Sequence, residues 1–209
     1  MSIDQRADTA GVVVAGGHST RFGDREKALA AFGGRPMLGH VVAALSGLTD
    51  TVVVNCRDAQ QADFAEALSG VDVDIRWALD ERGDEGPLSG LATALAAVDT
   101  ELAVVLACDM PLAEPAALAA LRDALDTGDA VVPRTEHGPQ PLHAVYHVGP
   151  THRAARATLA DGEQRLRALL DRLSVQSVAV GDAVPARSLT SIDTGERLRE
   201  IESEERAGE

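Results

Sequence analysis

Apolar positions along this chain follow two rhythms. Continuous Val-rich runs, GVVVA, TVVVN and LAVVLA, alternate with Ala/Leu-rich stretches in which apolar residues recur every three or four positions. A short unbroken apolar run suits a strand buried on both faces, and the longer period suits an amphipathic helix. On this basis strands are predicted at 11–15, 51–55, 74–78, 102–107, 130–133, 142–146 and 175–180. Helices are predicted at 36–48, 59–68, 88–98, 115–126, 150–159, 163–173 and 195–203. Such alternation predicts βαβ units, hence an α/β fold of three layers: a mostly parallel, Rossmann-like sheet with helices on both faces. The 209 residues are expected to form a single domain, 1–209. The His-, Pro- and Gly-rich stretch 134–150 is expected to be a hairpin covering the site, and the charged end 203–209 a frayed tail.

Composition narrows this picture. Apolar residues make up 45% of the chain but aromatics only 2%, so the core must be built from Ala, Val and Leu. The formal charge of −14 repels nucleic acid and anionic membranes, and neither is expected as a partner. The same acidity, with a single lysine, reads as adaptation to high intracellular salt, where added salt screens the carboxylates. Its melting temperature is then expected to rise from dilute to molar KCl; indifference to salt would overturn that reading. Cys56 and Cys108 lie far apart at the ends of apolar runs, as buried free thiols rather than a disulfide or zinc pair. No apolar run reaches membrane-spanning length and the N-terminus has no apolar signal core, so a cytoplasmic location is expected.

Candidate chemistry gathers where a parallel sheet would bind ligands, outside the carboxyl ends of its strands. The first strand runs into AGGHSTRFGDREK, the second ends at Asn55, the third precedes Asp80 and GPLSG, and the fourth ends in CDMP. Gly16 and Gly17 let a base or phosphate approach the backbone, and Arg21 can fork onto phosphate oxygens. Lys27 is the only lysine among 19 cationic residues, so an ammonium is wanted there and not a guanidinium. Asp109 stands where one carboxylate and phosphate oxygens can hold Mg²⁺. Asp80 can accept two N–H bonds from a base such as guanine. Asp193, in SIDTG, either belongs to the site or helps start the last helix. The glycine spacing fits neither a Walker loop nor a dinucleotide fingerprint, and the six histidines show no metal spacing.

Taken together, VAGGHSTRFGDREK, GPLSG, ACDMP and QPLHAVY resemble the MobA family of molybdenum cofactor guanylyltransferases, over about residues 10–200. The resemblance implies a GT-A-type nucleotidyltransferase sheet and transfer of GMP from GTP to the phosphate of molybdopterin, with release of pyrophosphate. By the same resemblance, Val14, Ala15, Gly16 and Gly17 contact GTP, Lys27 binds its phosphates, Asn55 and Asp80 serve the guanine, and Asp109 binds Mg²⁺. Arg21, Lys27 and Asp109 would carry the catalysis, and other molybdenum cofactor assembly proteins are implied partners. The late family string N-x-N-T-P reads Ser191-Ile192-Asp193-Thr194-Gly195 here, which leaves open whether Asp193 is a second Mg²⁺ ligand. Open alternatives are a cytidylyltransferase acting on molybdopterin or a polyol phosphate, a guanylyltransferase acting on cobinamide phosphate, and a non-catalytic nucleotide-binding regulator.

Overall fold

The computed structural model of the chain describes residues 6–17, 22, 26–80, 86–181 and 183–208. Each predicted strand run appears as a strand of one central sheet. The strands are β1 (Thr9–Val14), β4 (Thr51–Cys56), β5 (Asp74–Leu79), β6 (Leu102–Ala107), β7 (Ala130–Thr135), β9 (His143–His147) and β10 (Val175–Ala179). Their order across the sheet is β10-β7-β9-β6-β1-β4-β5. β6, β1, β4 and β5 run parallel, and β9 runs antiparallel to both β6 and β7. Only seven residues join β7 to its neighbour β9, too few for a parallel crossover, so the reversal follows from chain length.

The helices are α1 (Met37–Ser46), α2 (Asp58–Ala67), α3 (Gly86–Ala96), α4 (Pro115–Asp123), α5 (Val148–Ala160), α6 (Leu166–Leu170) and α7 (Gly195–Gly208). Alternate β1 residues face opposite layers. Val13 joins Leu38, Leu45, Leu118 and Leu121 from α1 and α4 on one face. Val12 joins Leu88, Leu91, Leu95 and Leu169 from α3 and α6 on the other. Each fully buried Leu or Val contributes about 1.5–3 kcal/mol, so many aliphatics do the work of few aromatics.

Two expectations change. Within 134–150, Arg134–Thr135 pairs with the two-residue strand β8 (Gly138–Pro139), a tight hairpin. The rest is not a cover: Ala144, Val145 and Tyr146 are wholly buried in β9, and α5 begins at Val148. The apolar face of HAVYH commits it to the sheet. Residues 203–208, expected to fray, continue α7. That helix is held by Ile201, packed with Phe32, Met37 and Ile192, and by a bond from Gly33 N–H to Glu202 at 3.1 Å. Phe32 belongs to a second, two-stranded sheet of β2 (Ala31–Phe32) and β3 (Arg35–Pro36), too short to read from periodicity.

From β1 the chain passes through α1 to β4 on one side; α3 later returns it to β6 on the other. The connections diverge at the carboxyl end of β1, and there an open sheet leaves a crevice.

Candidate active site

A pocket of about 360 Å³ opens over the carboxyl ends of β6, β1, β4 and β5. Val14, Ala15, Gly16, Gly17, Lys27, Asn55, Asp80 and Asp109 all line it. Of the other site residues expected from sequence, Arg21 lies outside the described residues, and Asp193 stands beside the wall, bonded to Lys27.

Asn55, next to last in β4, lies opposite Val14 of β1 and Ala78 of β5. Its side chain donates to the Ala78 carbonyl at 3.1 Å and to Asp80 Oδ1 at 2.7 Å. Both partners are acceptors, so the amide nitrogen must face them. Its Oδ1 is left buried without a hydrogen-bond partner. Asn55 is 0% exposed, and its amide fixes the direction of the Asp80 carboxylate. Two glycines make the room. A Cβ on Gly16 would sit 2.1 Å from Asp80 Oδ2, and one on Gly90 would sit 2.4 Å from Asn55 Oδ1. α3 begins beside this pair, and Gly86, Pro87 and Ser89 of its first turn line the pocket. The unpaired N–H groups of a helix start favour an anion there.

On the β6 side the wall is charged. Lys27 opens a short 3₁₀ turn, Lys27–Leu29, and its Nζ lies 2.5 Å from Asp109 Oδ2 and 3.1 Å from Asp193 Oδ1. Asp193 reaches the site because Ile192 N–H donates to the Asp109 carbonyl at 2.8 Å. Burial alone would depress Lys27, but the Asp109 carboxylate outweighs it and holds the ammonium above the usual lysine range. Burial raises Asp109 against the pull of Lys27, with Asp193 adding to the rise. Burial also opposes ionisation of Asp193, but its bond to Lys27 wins and holds it below the usual carboxylate range. Two carboxylates thus share one ammonium, and Asp109 Oδ1 is buried with no partner.

This donor set fits a divalent cation. No group of three or more His, Cys, Asp or Glu gathers among the described residues, so such an ion would complete its shell with water and phosphate oxygens. Cys108 also lines the pocket, but burial and then Asp109 push its thiol up to about 12. It stays protonated near neutrality and is no nucleophile.

Sequence reasoning missed several wall residues: Glu26, Ser89, Cys108 and Leu142. It also missed Arg57 and Gln60 behind the wall. Arg57 follows the end of β4 directly, so the strand-end rule that found Asn55 reaches it too. The Lys27–Asp193 contact joins residues 166 apart and left no local signal.

Set beside known proteins, residues 11–178 match the MobA-like NTP transferase domain. The chain belongs to this family. A relative from Natronomonas pharaonis, named "Probable molybdenum cofactor guanylyltransferase", is 39% identical over 91% of this chain and 95% of its own. A "Molybdenum cofactor guanylyltransferase" from Pseudomonas entomophila is 32% identical over 93% of each chain. Among solved structures, the molybdopterin-guanine dinucleotide biosynthesis protein A of Archaeoglobus fulgidus superposes with a TM-score of 0.76 at 26% identity. The match covers 95% of this chain and 99% of that one. This member of the MobA-like NTP transferases keeps the family sheet and carries the pocket at its strand ends. No helix among its described residues is long and apolar enough to cross a membrane.

Proposed function

We propose that this chain is a molybdenum cofactor guanylyltransferase, moving GMP from GTP to the phosphate of molybdopterin and releasing pyrophosphate, with Mg²⁺. The observation that carries the reading is one pocket in which a buried amide aims Asp80 while Lys27 and Asp109 face it from the β6 side, with Asp193 bonded to Lys27. The names of the relatives agree with it. We place the reaction in the cytoplasm, alongside other proteins of molybdenum cofactor assembly.

Asp80 accepts the ring N–H and amino group on one edge of guanine, an edge that adenine lacks. Gly16, Gly17 and the start of α3 let the phosphates approach backbone N–H groups. An acceptor phosphate oxygen attacks the α-phosphorus of GTP in line. The bond from that phosphorus to the bridging oxygen breaks, and pyrophosphate leaves with its electron pair. The acceptor oxygen is already ionised near neutrality, so no strong base is needed, and the protonated Cys108 forms no intermediate. Lys27 meets the charge growing on the departing pyrophosphate, with Arg21 assigned the same task. Mg²⁺ held by Asp109, with Asp193 beside it, would neutralise phosphate charge and align the reacting groups.

The test supplies purified protein, Mg²⁺ and molybdopterin with GTP, CTP or ATP, and follows pyrophosphate and the dinucleotide product. Product from GTP alone is expected. Preference for CTP would make the chain a cytidylyltransferase. GTP binding without turnover would make it a regulator.

A further inference from the structure

Arg57, Glu26 and Gln60 stand at the edge of the pocket and have no part in the reaction as described. Arg57 Nε donates to the carbonyl of Gly16 at 3.2 Å, and its Nη2 donates to Glu26 Oε1 at 2.6 Å. Gln60, 2% exposed, donates its Nε2 to Glu26 Oε2 at 2.8 Å. Its Oε1 accepts the backbone N–H of Arg57 at 2.9 Å. Turning the Gln60 amide over would set its oxygen against a carboxylate and its NH₂ against an N–H, so the arrangement has one orientation. The backbone carbonyl of Glu26 accepts Leu29 N–H at 3.0 Å and closes the turn that begins at Lys27. A run of hydrogen bonds therefore leads from the Gly16 carbonyl, through one guanidinium, to the turn that carries the lysine. Gly16, Glu26 and Lys27 all line the pocket.

An exposed Arg–Glu pair is worth little. This one is largely covered, with side chains 22% and 29% exposed, and its guanidinium serves two acceptors from different segments. A lysine carries no planar fork to span them. We propose that Arg57 is a positioning residue: it sets the separation of the Gly16 backbone from the Lys27 ammonium, so that both meet the nucleotide's phosphates together. The inference rests on the GTP-transfer reading. Misplacing a phosphate contact by about 1 Å can cost 10²-fold in rate, while the Asp80 contacts to the base are untouched.

The experiment compares wild type with Arg57→Met, Arg57→Lys, Glu26→Gln and the Arg57→Met/Glu26→Gln double variant. It measures kcat and KM for GTP, the Kd of guanosine, and the melting temperature. Arg57→Met is expected to lower kcat by about 10- to 100-fold while guanosine binds as in wild type. Arg57→Lys should recover little. Glu26→Gln should fall the same way, and the double variant should be no worse than the poorer single one, because both break one connection. An unchanged kcat in Arg57→Met would overturn the proposal. So would loss of guanosine binding in step with kcat and melting temperature, the mark of a merely structural pair. Should Arg57→Met fail to fold, the near-isosteric Glu26→Gln decides by the same split. Wild-type protein that makes no product from GTP would instead overturn the assigned reaction, before any variant is compared.

Discussion

On the Asn55–Asp80 side of the pocket, the contacts are short bonds between neighbouring strand ends, made by an amide with no exposed surface and roofed by two glycines. On the Lys27–Asp109–Asp193 side, three charges from distant segments crowd together, with an excess of negative charge and an unpartnered carboxylate oxygen. The first side carries no crowded charges, is fixed by bonds already made although Asn55 Oδ1 has no partner, and offers Asp80 to the donors of a base. The second is unbalanced until a cation and phosphates arrive, so it is built to change partners. Under the proposed function, recognition by preformed geometry and catalysis by charge neutralisation fall to strand ends on the two sides of β1.

Breaking the charged side should cost most. Lys27→Ala is expected to lower kcat by about 10² to 10³, with guanosine binding and fold retained. Lys27→Arg should not restore turnover, since a planar fork cannot sit where a compact ammonium bridges two carboxylates. Full activity in that variant would remove the special role of the lone lysine.

A control outside both sides comes next. His143 is wholly buried in β9 with both ring nitrogens unpartnered, and burial pushes its pKa down to about 4. Since this lies below the unfolded value of about 6.5, the unfolded chain takes the proton first. Stability should be intact above pH ~6.5 and fall by about 3 kcal/mol as the pH drops toward ~4. His143→Leu should flatten that acid slope in denaturant titrations and leave turnover at neutral pH unchanged. An unaltered slope would trace the acid sensitivity to the pocket carboxylates instead.

The base side is probed by Gly90→Ala, which drives a methyl group toward Asn55 Oδ1. About 1–3 kcal/mol of overpacking should tilt the Asn55–Asp80 pair. That would raise KM for GTP by roughly tenfold and erode discrimination against ATP, with kcat less affected. A kcat effect as large as that of Lys27→Ala would dissolve the division of labour. The mildest test is Asp193→Asn. Removing one of the two carboxylates should weaken Mn²⁺ binding by about threefold to tenfold, read by electron paramagnetic resonance. Unchanged affinity would leave Asp193 as a partner of Lys27 alone.

Much of this was legible in the sequence. Runs such as VVVA and AVVLA admit little but buried parallel strands, and knowing the strands locates their carboxyl ends, where Asn55, Asp80 and Asp109 stand. The direction of β9 was not legible, because HAVYH is buried alike whichever way it runs. Nor was the complete burial of Asn55, whose amide is taken up by Asp80 and the Ala78 carbonyl. Arg57 follows a strand end, but only the fold brings it the carbonyl and the carboxylate that it joins.

The bond from Ile192 to Asp109, with Asp193 beside it, has a bearing on synthesis. The strands that form the pocket have all been made by Ala107, yet the carboxylate that joins Lys27 and Asp109 comes from residue 193. A chain that stops before residue 192 lacks both the bond to the Asp109 carbonyl and the Asp193 carboxylate beside Lys27. The charged side of the pocket is therefore assembled only once residues 192 and 193 have joined strands made long before them.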